Sequence, residues 1–124
     1  MSFPHSFLHQ YISSSPTYYP SLSPHSISVI STIAGTGTAG YSGDNGQATS
    51  ATINIPCGIA IDSIGNVYFS DNSNYRVRKI TVLTGIITTY AGTGLASYSG
   101  DGGVASSAAL FNPVGVAVDS SGKE

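Results

Sequence analysis

Between residues 58 and 92 the chain alternates short apolar runs with turn residues. "GIAID" (58–62) alternates small and branched apolar residues and ends on an acid. "NVYFSD" (66–71) is aromatic and β-branched, "YRVRKITV" (75–82) sets apolar against polar positions, and "IITTYAG" (86–92) follows a Thr84–Gly85 turn. Runs this short, bounded by Asp, Asn, Ser and Gly, predict four strands joined by tight turns, for which antiparallel order is the simple connection. No window sustains a 3.6-residue period, which excludes helical solenoids.

The same pattern returns one period later. A shift of 57 residues lays "AGTGTAGYSGDNGQATSA" (34–51) on "AGTGLASYSGDGGVASSA" (91–108), and "PCGIAIDSIG" (56–65) on "PVGVAVDSSG" (113–122). Residues 33–67 match residues 90–124 at 19 of 35 positions without a gap. A fixed period of this order marks a repeat architecture, and four antiparallel strands per repeat is a propeller blade. The Ala/Ser runs between blades, each shortly after Asp44 or Asp101, suit one helical turn. The long link they belong to stretches the period beyond that of common propellers.

The stretch "IPCGIAIDSIGNVYFSDNSNYRVRKI" and the links "AGTG…YSGDNG" and "AGTG…YSGDGG" resemble NHL repeats of the long variety. The resemblance runs from about residue 27 to 124 and implies a TolB-like, usually six-bladed, all-β propeller. It implies little about function, because interaction modules, sensors, RNA binders and a few lyases share the fold. On this reading residues 27–35 are the outer strand of one blade, 58–92 are a full blade, and a third blade starts at about 113. One and a half blades leave sheet edges open. The chain is therefore expected to be an incomplete propeller, a fragment of a longer protein, with self-association or further blades covering its edges. In the same resemblance Asp71, Asn74 and Arg76 look like a turn and salt-bridge network joining the second and third strands.

Composition changes this picture at the N-terminus. Residues 1–26 are rich in Ser, Pro, Tyr and His and hold four of the six prolines, so they are expected to form a disordered tail. Only 8% of the 124 residues are charged, none of them before Asp44, and the net charge is −2. That balance gives no footprint for nucleic acid or an anionic membrane. No apolar run approaches the about 18 residues that cross a bilayer, and no Lys/Arg-headed signal peptide is expected. The compartment stays open.

Candidate chemistry is sparse. "GTGTAG" (35–40) matches a dinucleotide fingerprint but opens no helix in a βαβ unit. Each YSGD loop offers one acid, Asp44 or Asp101, where calcium normally takes several oxygen ligands. The three histidines, His5, His9 and His25, sit in the tail with no zinc spacing. Cys57 has no histidine within the repeats to activate it, and Val114 stands at its place in the next copy, so a small buried side chain is expected. Arg76, Arg78 and Lys79 are too few for phosphate recognition and are expected to pair with Asp62 and Asp71.

The repeated positions then read as turn chemistry. Gly43 and Gly100, with Gly46 and Gly103, allow positive φ; Asp44 and Asp101 bond the turn backbone or cap the short helix; Asp62 and Asp119 belong to the repeated motif as the acids that end the first strand of each copy. No catalytic residue, cofactor or metal ligand is assigned. The expected function is a non-catalytic module for a protein or glycan partner. The alternatives are part of a lyase-like propeller whose catalytic blades lie elsewhere, or a truncated product without a function of its own.

Overall fold

The computed structural model describes residues 8, 11–15 and 27–119, and for 11–15 the backbone alone. Six strands form among the described residues: β1 (Tyr11–Ser15), β2 (Ile27–Ser31), β3 (Pro56–Ile61), β4 (Val67–Asp71), β5 (Arg76–Thr81) and β6 (Ile86–Ala91). β3 to β6 make one four-stranded antiparallel sheet in chain order, the blade that the apolar runs predict. β4 lies second in that sheet and is buried along its whole length, as its unbroken Val-Tyr-Phe run requires. Short 3-10 turns at Ala48–Ser50 and Ala105–Ser107 supply the expected helical turn of each link, and a third follows β4 at Asn72–Asn74.

Hairpin chemistry sets the registers. Gly65 (φ 102°) and Gly85 (φ 72°) take the positive-φ positions of the β3–β4 and β5–β6 turns. A register shift between Pro56 and Ile59 bends β3 away from a flat ladder.

One face of the blade carries Phe69, Val67, Ile80 and Ile87. These pack against Leu8, Ala34, Ala48, Ala51 and Ile53 to form the core. Successive strand residues alternate faces, so Arg76 and Arg78 share this core side with Ile80.

Residues 1–26 depart from the expected disordered tail where they are described. β1 pairs antiparallel with β2, and Leu8 bridges Ala34 and is buried. The other residues of that stretch, with His5, His9 and His25, lie outside those described.

The start of the third blade also differs. Residues 113–118 form no ladder among the described residues. In the first copy the partner of this strand is β4, whose counterpart begins one period on, at position 124. The segment instead lies against β4 and the turn after it, through bonds from Ser70 Oγ to the Val114 carbonyl (2.8 Å) and from Asn72 Nδ2 to the Pro113 carbonyl (2.8 Å).

Candidate functional site

The first link folds over the blade and closes on one residue, Arg78. Its guanidinium is fully buried and donates from all three nitrogens. Nε and Nη2 reach Asp44 Oδ1 at 3.2 and 2.8 Å, and Nη1 reaches Asp71 Oδ2 at 3.0 Å. The carbonyls of Ser42 (3.0 Å) and Thr52 (3.5 Å) accept the remaining bonds. Arginine has five N–H donors. All five are spent inside the protein, so Arg78 has nothing left to offer a phosphate or carboxylate ligand.

Its two acidic partners are equally committed. Asp44 Oδ2 accepts from Thr89 Oγ1 (2.6 Å) and Tyr41 Oη (3.0 Å), while Oδ1 takes both bonds from Arg78. Its four lone-pair directions are filled. Partial burial opposes its ionisation. The Thr89 bond, the Arg78 charge and the Tyr41 bond outweigh that, and hold its carboxyl below the ordinary range. Asp71 is fully buried and accepts from the Asn54 amide (2.7 Å) and from Asn74 Nδ2 (2.8 Å) besides Arg78. Burial pushes its carboxyl up in spite of those donors. Both carboxylates serve the junction between link and blade.

Arg76, the arginine the resemblance points to, is not Asp71's partner. The two residues face each other in the β4–β5 register. Even so, the Arg76 guanidinium carbon sits over the Tyr41 ring, 3.6 Å from its centroid, and the guanidinium donates to the carbonyls of Asn74 (3.1 Å) and Thr93 (2.9 Å). Spacing of two residues along a strand puts both arginines on one face. That signal names the pair, but only depth decides which of them meets the acids. Lys79, on the opposite face, sits 5.4 Å from the Tyr68 ring and forms no ion pair among those described.

Asp62 closes the β3–β4 hairpin. Its Oδ1 accepts the amides of Ile64, Gly65 and Asn66, and its Oδ2 accepts from Asn66 Nδ2 and Tyr68 Oη. Desolvation opposes its ionisation, but the bonds from Asn66, Ile64 and Tyr68 together outweigh it and hold its carboxyl below the ordinary range. Among the described residues it pairs with none of the basic side chains. Asp119, one period on, is exposed.

Neither YSGD acid caps the 3-10 turn after it: the capping positions are Gln47 and Val104, without side-chain bonds. Tyr98 Oη donates to Asp101 at 2.9 Å, as Tyr41 does to Asp44. Gly43 and Gly100 have φ of 91° and 95°, with Asn45 (68°) and Gly102 (77°) as the second positive-φ residues. Gly46 and Gly103 are not in that region. They are small because the carbonyls of Gly43 and Gly100 approach, to 3.3 and 3.1 Å of where a Cβ would stand. Cys57 is exposed on edge strand β3, not buried, with Sγ 3.5 Å from the Ile55 carbonyl.

Among the described residues no group of three or more His, Cys, Asp or Glu is placed to hold a metal ion, and no helix is long and apolar enough to cross a membrane. An open apolar cleft of about 540 Å³ does occur, at the turn end of the blade. Ile33, Ile61, Gly65, Val67, Ile80, Val82 and Gly85 line it. In the same two turns Ile64 and Leu83 are 72% and 88% exposed. Sequence reasoning passed over these residues, because single exposed apolar side chains in turns carry no signal until the fold gathers them.

Comparison with known proteins agrees with this geometry. The sequence profile of the Teneurin NHL domain matches residues 32–99. A curated relative, Protein SUPPRESSOR OF QUENCHING 1, chloroplastic, of Arabidopsis thaliana, is 33% identical over 82 residues. The match takes in 65% of this chain and 8% of that protein, so the chain spans a small part of its relative. A crystal structure of a structural genomics protein of unknown function from Bacteroides thetaiotaomicron superposes with a TM-score of 0.62 at 23% identity. It covers 74% of this chain and 23% of that one, and the likeness concerns the fold alone.

Proposed function

Because the chain belongs to the Teneurin NHL domain family, we propose that it is a non-catalytic propeller module that binds a protein partner at the turn end of its blade. The observation that carries this reading is the cleft walled by Ile33, Ile61, Val67, Ile80 and Val82, next to the exposed turn residues Ile64 and Leu83. An apolar recess flanked by exposed aliphatic side chains suits a protein surface. A glycan site relies on polar groups and aromatic platforms, which this cleft lacks. Asp44, Asp71 and Arg78 are spent on holding link to blade.

The test is affinity capture with the wild-type chain beside a Val82→Ser/Leu83→Ser variant. A protein held by the wild type and lost by the variant, at unchanged melting temperature, supports the reading. Capture that ignores the substitutions, or glycan-array binding that does, removes it. A lyase or hydrolase activity in the purified chain would favour the enzymatic alternative.

A further inference from the structure

Each link carries one dipeptide that its own backbone can attack. Asn45–Gly46 is the one Asn–Gly pair in the sequence, and Asp101–Gly102 is the one Asp–Gly pair. In both, the glycine nitrogen can close a five-membered ring on the side-chain carbonyl carbon of the residue before it. Glycine leaves that approach unhindered, because it has no Cβ and a permissive backbone. In an unfolded chain the Asn pair reacts faster. A carboxylate is ionised at neutral pH and is then a poor electrophile, whereas a carboxamide carries no charge.

The fold reverses that order. In the first link the attacking nitrogen, the Gly46 amide, donates to the Gly43 carbonyl at 2.9 Å. The groups on either side are tied to β6: the Asn45 amide donates to the Ile87 carbonyl (2.7 Å), and the Gly46 carbonyl accepts from the Ile87 amide (3.0 Å). Asp44, just before the pair, is bonded through both oxygens. The second pair lacks these ties. Among the described residues the Gly102 amide has no acceptor, and the Asp101 carboxylate keeps one bond, from Tyr98 Oη at 2.9 Å. Residues 101–103 are exposed, and a Cβ on Gly102 would meet nothing within 4 Å.

We infer that Asp101–Gly102 is a spontaneous modification site, which turns to isoaspartate in the folded chain while Asn45–Gly46 is spared. The Gly102 nitrogen attacks Cγ of the protonated Asp101 carboxyl. An N–Cγ bond forms, a Cγ–O bond breaks, and the amide hydrogen leaves with the hydroxyl as water, closing a succinimide. Water then opens the ring. Cleavage at Cγ restores aspartate, and cleavage at the main-chain carbonyl leaves Gly102 joined through Cγ, with a free α-carboxylate. The isomer has the same mass but one more atom in the main chain. That atom falls inside the turn closed by the Gly103 amide on the Gly100 carbonyl (3.0 Å), and it takes the carboxylate away from Tyr98. The new α-carboxylate is the group that isoaspartyl methyltransferases esterify, moving a methyl from the sulfonium of S-adenosylmethionine to a carboxylate oxygen and releasing the thioether. The aged turn is a substrate for an enzyme of that class. This site is independent of the proposed partner at the cleft.

The experiment ages the 124-residue chain for weeks at neutral pH, once in buffer and once in guanidinium chloride, and reads two peptides. Isomerisation at Asp101 shifts the retention of its peptide without changing the mass. Reaction at Asn45 exchanges the amide nitrogen for oxygen and raises the mass. Methylation by an isoaspartyl methyltransferase with labelled S-adenosylmethionine counts the product at each position. In buffer, Asp101 should yield at least about tenfold more isoaspartate than Asn45, because ring closure at Asn45 waits on opening of the link. In guanidinium chloride the order should reverse. Asp101→Glu should abolish the label at that position, since its longer side chain cannot close a five-membered ring. Isoaspartate that forms at Asn45 as fast as at Asp101 in buffer overturns the inference. So does a folded chain that stays unlabelled at Asp101, or a ratio between the two positions that denaturant does not change.

Discussion

Arg78 and Arg76 differ by one turn of the pleat and should differ widely in what their loss costs. Arg78→Ala strands the buried Asp71 carboxylate, and breaking a buried pair in this way costs about 3–5 kcal/mol. Arg76→Ala loses a partly exposed stack on Tyr41 and two bonds to carbonyls, on the order of 1 kcal/mol. Urea unfolding of the two variants should separate them clearly, with the Arg78 variant at or near global unfolding. Equal losses would move the weight of the junction back to Arg76.

Asp44 gives a pH signature at the same scale. Its folded pKa is depressed, so the stability it contributes is complete above the unfolded value of about 3.9. It is lost as pH falls through the folded pKa. Asp71 is shifted upward and works in the opposite sense, and Asp62 is depressed like Asp44. Asp44→Asn leaves both of those in place. The variant should be less stable than wild type at neutral pH, and the gap should narrow as the pH drops below about 4. Thermal melts of both proteins from pH 7 to pH 2.5 would show the convergence.

At the scale of the element, the link depends on a contact that glycine alone permits. A Cβ on Gly43 would stand 2.6 Å from the Ala51 Cβ and 2.7 Å from its Cα, at a φ of 91°. Gly43→Ala therefore combines backbone strain of about 1–3 kcal/mol with a clash against main chain. Because the Cα is struck as well as the methyl, Ala51→Gly should not rescue it. Gly100 meets Ala108 in the same way, at 2.7 Å from the Cα. In the 124-residue chain Gly100→Ala should cost less global stability than Gly43→Ala, because only the first link is tied to the blade through Arg78 and the edge of β6. Chemical denaturation of the three variants checks both statements.

Across the whole molecule, the segment 113–118 is held on the blade by two side chains, Ser70 of β4 and Asn72 of the turn after it, and by a close approach to β3. A Cβ on Gly58 would fall 2.1 Å from the Val114 carbonyl oxygen. Ser70 Oγ accepts the Gly58 amide at 2.9 Å and donates to that same carbonyl. Asn72→Ala removes the Pro113 bond, worth about 1 kcal/mol, and leaves the blade ladder untouched. Limited proteolysis within residues 113–118 should then quicken several-fold while residues 67–71 and 76–81 keep their protection from exchange. Equal quickening in the blade would show that segment and blade open together.

The sequence by itself determined the repeat, the four strands and the turn glycines. Each of these rests on local rules: alternation along a pleat, positive φ, and self-similarity over 57 residues. Asp62 was legible as the acid that ends the first strand, but its expected pairing with the basic cluster gave way to hairpin bonds within six residues. The roles of Asp44, Asp71, Arg76 and Arg78 were not. Strand periodicity places both arginines on one face, and the β4–β5 register even sets Arg76 opposite Asp71. The link then covers that face, lays Tyr41 over Arg76, and leaves Arg78 as the guanidinium deep enough to need two carboxylates. The choice turns on desolvation, which belongs to the packed molecule and has no local sign. The same holds for Tyr98 and Asp101. Their letters match Tyr41 and Asp44, but what each can bind depends on whether a blade already lies against it.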